Sequence, residues 1–298
     1  MSLPQAWIND SVRRALAEDL GVDGDLTTKA AGLAERSARA RLIAKDDGVL
    51  AGLDIAKATF RACDPDCVFL AEVLDGAAVT RGATVLEVGG EATALLQAER
   101  TALNFLQRLS GTATRTRALV RLVEGTGARI LETRKTTPGL RLAEKYAVVV
   151  GGGTAHREGL YDQVLLKENH FAVAAPKCYR EVVECAVRTN PTDKPVIAEA
   201  RDLDEARAAV LGGAGVVMLD NFEAGSMLTS AIEELRAIAE AEGRTVEFEA
   251  SGGIDERNVR AYAECGVDRI SIGALTHSVR AFDLSMLLEL QSVEATAG

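Results

Sequence analysis

The sequence predicts two architectures in series: a mixed α+β half, then a parallel (β/α) barrel that can have fewer than eight strands. Three observations carry this expectation. Apolar runs in the first half are short, alternating and punctuated by glycine. Beyond Ala128 six apolar runs alternate with amphipathic stretches. Strand–helix repetition of that kind implies parallel strands with right-handed crossovers.

In order along the chain, residues 4–20 read as an amphipathic helix, and EDLGVDGDLTT (Glu18 to Thr28) as a turn-rich loop. A strand is expected near ARARLIAKDDG and a helix from Leu53 to Cys63. CVFLAEVLDGAAVTRGATVLEVGGEA divides into short glycine-bounded strands. A long amphipathic helix is expected from about Ala94 to Glu124, with Ser110-Gly111 as a candidate break. The barrel strands are ARILET, DQVLLK, PVIAEA, GVVMLD, TVEFEAS and RISIGA, separated by stretches such as LDEARAAVLGG and DERNVRAYAECG. Closed barrels and open doubly wound sheets share this pattern. No Gly-x-Gly-x-x-Gly joins a first strand to its helix, which disfavours a dinucleotide-binding sheet.

Composition narrows the function. The 298 residues are 47% hydrophobic and 26% charged, with a formal net charge of -10, which argues against a general nucleic-acid binder. No apolar run is long enough to span a bilayer, and the N-terminal stretch lacks the apolar core of a signal peptide. The five cysteines are scattered: Cys63 and Cys67 find no second Cys/His pair at ligand spacing, and Cys178 and Cys185 read as core. Reduced thiols and a cytoplasmic location are expected.

Positive charge in ILETRKTTPGLR (Ile130 to Arg141) therefore serves something local. In parallel α/β folds ligands bind at the carboxyl ends of the strands. Those ends read Arg134-Lys135, Lys167-Glu168-Asn169-His170, Glu199, Asp220-Asn221, Ser251-Gly252-Gly253 and Gly273. Any one of them could be an ordinary strand end, but together they are sorted from cations through carboxylates to glycine turns. Backbone N–H groups of SGG before a helix, and of IGA before LTHS, suit phosphate. Glu199 and Asp220 suit diol hydroxyls, Mg²⁺ with its waters, or a nearby cation, unless they are plain ion-pair partners.

The three histidines are His156, His170 and His277. A neighbouring arginine favours His156 as donor or anion binder over general base. Arg134, Lys135, His156, Arg157 and Lys167 are candidates to meet in one pocket, where charge-assisted bonds would hold a compact polyanion. Carboxylates, cations and glycine turns together point to a phosphosugar and an acidic co-substrate.

TRKTTPGLRLAEKYAV, GGGTAHREGLYDQVLLKENH, VVMLDNF, EASGGI, GVDRISIGALTHS, ERTALNFLQRLSGTAT and EDLGVDGDLTT resemble the quinolinate phosphoribosyltransferase family, the carboxylating nicotinate-nucleotide pyrophosphorylases. The resemblance covers nearly the whole chain. It implies an N-terminal α/β sandwich domain over residues 1–115 and an open, roughly seven-stranded α/β barrel over 116–275. The tail, residues 276–298, would pack back on the first domain.

The resemblance further implies conversion of quinolinate and 5-phosphoribosyl 1-diphosphate (PRPP) to nicotinate mononucleotide, diphosphate and CO₂, in NAD biosynthesis. The catalytic set would be Lys135, Glu199 and Asp220. Quinolinate would be held by Arg100, Arg134, Lys135, His156, Arg157 and Lys167, with Arg100 reaching across a homodimer, itself open to higher assembly. The phosphates would take Lys167, Ser251, Gly252, Gly253, Gly273 and His277. Mg²⁺ would be held indirectly by Glu199 and Asp220, through PRPP and water. Two positions depart from the family pattern: Ile197 stands where a second acid often precedes Glu199, and Ala155 where an asparagine often precedes His156-Arg157.

Three rival functions share these residues. A ModD-type paralogue would act on another acidic heteroaromatic, although Lys167 in LLKENH favours the quinolinate enzyme. A Schiff-base aldolase would use Lys167 in an apolar setting. A non-catalytic anion-binding barrel would lack turnover.

Overall fold

A computed structural model describes residues 2–33 and 36–291, which form two compact units. The first comprises Met1–Arg115, Leu142–Gly151 and Val279–Gly298, the second Thr116–Arg141 and Gly152–Ser278. Leu142–Gly151, expected in the barrel, groups instead with the first unit, where Ala143 and Ala147 join a core with Ile8, Val12 and Ile55.

The first unit opens with α1 (Gln5–Leu20), whose inward face carries Ile8, Val12 and Leu16 at helical spacing. The expected loop contains a short helix, α2 (Leu26–Ala31), capped where Asp25 accepts the Thr28 N–H at 3.0 Å. Then follow β1 (Ser37–Ala44), β2 (Gly48–Val49), α3 (Leu53–Cys63), β3 (Val68–Glu72), β4 (Ala78–Val79), β5 (Thr84–Glu91) and α4 (Ala92–Leu122). α4 runs unbroken. Ser110 Oγ accepts the Ala51 N–H, and a Cβ on Gly111 would lie 2.2 Å from the Arg280 carbonyl oxygen. That glycine permits a close backbone approach; it does not end the helix.

The second unit holds β6 (Arg129–Leu131), followed in the chain by α5 (Arg141–Val150), β7 (Leu165–Leu166), α6 (Glu168–Val173), α7 (Tyr179–Arg188) and β8 (Ile197–Ala200). It continues through α8 (Leu203–Leu211), β9 (Val216–Asp220), α9 (Ser226–Ala241), β10 (Glu247–Ser251), α10 (Val259–Glu264), β11 (Arg269–Ser271) and α11 (Ala274–His277); β12 (Leu284–Leu290) returns to the first unit.

The first sheet has the order β12-β1-β5-β3 and is antiparallel throughout. β12 pairs with β1 from Ala38↔Leu290 to Ala44↔Leu284; residues 292–298 of the expected tail lie outside the described residues. Ala38, Ala40, Leu42 and Ala44 point to one core with Phe60, Leu86, Val88, Leu95 and Leu103, while the intervening β1 positions carry Arg39 and Arg41. This is the alternation of a sheet wetted on one face.

The second sheet is parallel, in the order β6-β11-β10-β9-β8-β7. The resemblance implied about seven strands. Six pair as strands, and a single parallel bridge, Thr154 to Leu131, extends the ladder beyond β6. The ladder therefore runs from β7 to Thr154, an open barrel.

One correction concerns a thiol. Cys178 is exposed because α7 starts one residue after it, outside the helix's apolar stripe, and Cys185 is only partly buried. Burial first, then the Asp64 charge, pushes the Cys63 thiol up to about 11. Among the described residues no cluster of three or more His, Cys, Asp or Glu could hold a metal, and no helix is long and apolar enough to cross a membrane.

Candidate active site

Strand register builds the site. Successive side chains alternate between faces, so residues two apart share one face. Ile197 and Glu199 on β8 share a face with Val216, Met218 and Asp220 on β9, with Glu249 and Ser251 on β10, and with Arg269 and Ser271 on β11. The first layer of this face is apolar: Leu165, Ile197, Val216 and Met218 form one buried cluster. Further along the strands the same face turns polar. Above it opens a cavity of about 880 Å³ whose lining includes Arg134, Lys135, His156, Arg157, Lys167, Glu199, Asp220, Ser251, Gly252 and Gly253.

Ten of the predicted site residues are thus gathered into one cavity in the second unit. Gly273 and His277 are outside its lining but adjoin it through Lys135. A Cβ on Gly273 would meet Lys135 Cδ at 3.0 Å and the His277 ring at 3.1 Å. The Thr276 hydroxyl also donates to the Lys135 carbonyl at 2.8 Å. Arg100 lies on α4 in the first unit, its side chain 58% exposed.

The cations are not neutralised evenly. Arg157 is buried, and its guanidinium donates to the Gln163 carbonyl at 3.2 Å. Burial first, and then the Arg134 charge, pulls the Arg157 guanidinium below its ordinary range. Arg134 Nε is buried and has no hydrogen-bond partner among the described residues. Two guanidiniums repelling one another, one with an unmatched donor, make a seat whose cost falls when an anion arrives. The second arginine of ILETRKTTPGLR, Arg141, serves the loop: it donates to the Thr136 hydroxyl at 3.0 Å and the Glu158 carbonyl at 3.2 Å.

Lys167 Nζ pairs with the Glu199 carboxylate, and its backbone N–H donates to His170 Nδ1 at 2.8 Å. That ion-paired, exposed setting is not the apolar pocket a Schiff-base lysine needs. Glu199 is buried, and its carbonyl accepts the Tyr179 hydroxyl at 2.6 Å, while Tyr179 stacks on Phe171 with ring centres 3.8 Å apart. Burial, followed by the Glu199 charge, raises the Asp220 carboxyl above its usual range, against opposing effects of Lys167 and Lys135.

The β9 and β10 ends interlock. Asn221 adopts φ 60, its N–H donates to the Ser251 carbonyl at 2.8 Å, and its amide donates to Asp220 at 2.9 Å. Gly252 adopts φ +103, and a Cβ there would lie 2.1 Å from Asn221 Oδ1, so only glycine fits. The SGG turn does not lead directly into a helix as expected: α10 begins at Val259. Its anion-binding capacity rests on turn N–H groups rather than a helix dipole.

His156 differs from its sequence expectation as a direct donor. Its Nδ1 accepts the Arg157 N–H at 2.7 Å, and its Nε2 lies 3.2 Å from Glu249. Both ring nitrogens are engaged within the protein. Ile197 is fully buried below the cavity, so the missing acid leaves a continuous apolar layer; Ala155 is exposed and outside the lining. Thr133 and Ser271 also line the cavity, although no sequence motif singles them out. The period-two spacing of RIS is the signal that could have found Ser271.

Comparison with known proteins identifies the family. Residues 25–110 match the quinolinate phosphoribosyl transferase N-terminal domain, and residues 112–287 its C-terminal domain. A nicotinate-nucleotide pyrophosphorylase (carboxylating) of Mycobacterium leprae is 40% identical over 286 residues, 93% of this chain and 95% of that protein. A probable enzyme of the same description from Bacillus subtilis is 38% identical over 282 residues, 93% of this chain and 92% of its own length. The solved nicotinate-nucleotide pyrophosphorylase of Francisella tularensis superposes with a TM-score of 0.88 at 37% identity, covering 97% of this chain and 98% of that one. With both domain profiles matched in order and relatives aligned along nearly their whole length, the chain belongs to the quinolinate phosphoribosyl transferase family.

Proposed function

We propose that this protein transfers the phosphoribosyl group of PRPP to quinolinate, with decarboxylation, giving nicotinate mononucleotide, diphosphate and CO₂ for NAD biosynthesis. The observation that carries this is the under-neutralised guanidinium pair, Arg134 with its unpartnered buried Nε beside Arg157. A ligand with two adjacent carboxylates suits it.

In this reading Arg134, Arg157 and Lys135 hold the quinolinate carboxylates and turn the ring nitrogen toward the ribose C1, so orientation removes much of the entropic barrier. The SGG turn takes the 5-phosphate through backbone N–H groups. Glu199 and Asp220 face the oxocarbenium character that develops at C1 and stabilise it electrostatically. They are also the residues that would hold Mg²⁺, by water and PRPP oxygens rather than an all-protein cage, and the ion when bound would offset the charge of the departing diphosphate. A pair of carboxylates, one already matched to Lys167, fits that indirect mode. After alkylation the pyridinium nitrogen draws the electrons released as the adjacent carboxylate leaves, and no general base is required.

The assembly belongs to the same proposal: a cytoplasmic homodimer in which exposed Arg100 completes the acid seat of the second copy. Mixed dimers of Arg100→Ala with a barrel-damaged subunit should recover activity; absence of recovery in proven heterodimers would reject shared sites. The activity is tested by incubating the protein with PRPP, Mg²⁺ and quinolinate, with nicotinate as control. Mononucleotide should form from quinolinate alone. No product, or a preference for nicotinate, would overturn the assignment.

A further inference from the structure

The pocket rests on a buried polar cluster that the transfer reaction does not itself require. We propose that Glu249 is a positioning residue of the acid seat: its carboxylate holds the His156 ring with the proton on Nε2, and through that ring fixes the backbone of Arg157. The proposal rests on the pocket being the quinolinate seat.

Glu249 is fully buried on the inward face of β10, one layer below Ser251. Its Oε2 lies 2.8 Å from Arg269 Nε, on the register-paired position of β11, and its Oε1 lies 3.2 Å from His156 Nε2. Neither contact meets hydrogen-bond geometry: the Arg269 contact is an ion pair, and the His156 contact is a dipolar one between the ring edge and the carboxylate. Burial raises the Glu249 carboxyl, but contact with the His156 ring edge, the Arg269 charge and the Ser271 hydroxyl outweigh it and hold the group below its ordinary range.

The tautomer follows from the other side of the ring. Nδ1 accepts the Arg157 N–H at 2.7 Å, which requires a lone pair there. The ring is therefore neutral, with its proton on Nε2 facing the carboxylate. The His156 backbone N–H is fixed separately, by the buried carboxylate of Glu132 at 2.9 Å. Two buried acids from different parts of the barrel thus clamp one histidine, and that histidine's ring clamps the next residue's N–H. The next residue is Arg157, whose guanidinium lines the cavity. An arginine on a loop loses affinity if its backbone wanders, and the ring contact restrains that motion.

The unsubstituted protein supplies the first test, because it contains only three histidines. Ring ¹⁵N spectra, assigned with His156→Phe, should show His156 as the neutral Nε2–H tautomer at neutral pH, without substrate. An Nδ1–H tautomer or an imidazolium would overturn the proposal. The second test is a double-mutant cycle read by quinolinate affinity. Glu249→Gln and His156→Phe should each weaken quinolinate Kd about tenfold or more, following the worth of one charge-assisted contact. The double variant should be no weaker than the weaker single variant, with PRPP affinity little changed. Additive losses, or a folded Glu249→Gln protein with unchanged quinolinate Kd, would reduce Glu249 to a structural partner of Arg269 and reject the proposal. Should Glu249→Gln fail to fold, the tautomer of the unsubstituted protein still decides. Absence of quinolinate turnover in that protein would instead fail the functional assignment, and the ring spectrum would still report on the tautomer independently.

Discussion

The two sheets use the same alternation for opposite ends. In the antiparallel sheet, β1 buries Ala38, Ala40, Leu42 and Ala44 and turns Arg39 and Arg41 outward. Its charges pair near solvent, as Arg39 does with Glu87 at 2.9 Å. In the parallel sheet the strands are covered on both faces, so charge directed inward cannot reach water. Yet Glu199, Glu249 and Arg269 are buried there. The inner face starts with Ile197 and Val216 and ends with Glu199 and Asp220, two and four residues later. Charge is tolerated where partners or a ligand meet it, and that gradient along the strand separates a core from a site.

The contrast can be broken by substitution, beginning with the largest effect. Leu42→Ala, in the apolar core of the first sheet, should cost about 2–5 kcal/mol of stability by denaturant unfolding. Quinolinate Kd of the protein that remains folded should not move; a matching loss of affinity would erase the division of labour.

Arg134→Ala should do the reverse. Loss of a charge-assisted pair should weaken quinolinate binding by about 1.5–3 kcal/mol, roughly tenfold to a hundredfold by calorimetry, with little change in Tm. An unchanged Kd would remove Arg134 from the seat.

Asp220→Asn sharpens the comparison, because it should stabilise the folded chain and impair its function. It should lower kcat by about tenfold to a hundredfold, with a smaller effect on quinolinate affinity. Burial and the Glu199 charge raise the Asp220 carboxyl in the folded state. The ionised group therefore costs stability at neutral pH, and the cost fades as pH falls through the raised folded value toward the unfolded one. The variant should melt higher than the parent at pH 7, with the difference closing in acid. A lower Tm for the variant at neutral pH would contradict this balance.

Arg39→Ala, on the wet face of the first sheet, should produce the smallest change. Its pair with Glu87 is half exposed, so about 0.2–1 kcal/mol is expected, shrinking with added salt. A larger loss would mean that surface charge on this sheet is structural after all.

Local pattern made much of the fold readable. The expected helix from Leu53 to Cys63 is α3, and each of the six apolar runs beyond Ala128 contains a strand. The strand-end groups other than Gly273 line one cavity because parallel strands deliver their carboxyl ends to the same edge. Other features depend on partners distant in sequence. Gly111 looks like a helix break in the sequence because its reason, the Arg280 carbonyl, is 169 residues away. Cys178 reads as core because the start of α7 is not visible from its neighbours. His156 reads as a ligand donor because neither Glu132 nor Glu249 is near it in the chain.

The sequence by itself determined the strand–helix alternation, the inward periodicity of each strand and the chemical character of each strand end, since all three follow from local spacing and side-chain type. Only the tertiary structure decided which charges are satisfied. It paired Lys167 with Glu199, engaged both nitrogens of His156 and left Arg134 Nε without a partner among the described residues. The physical reason is that neutralisation depends on distance and burial across elements, and strand register sets both.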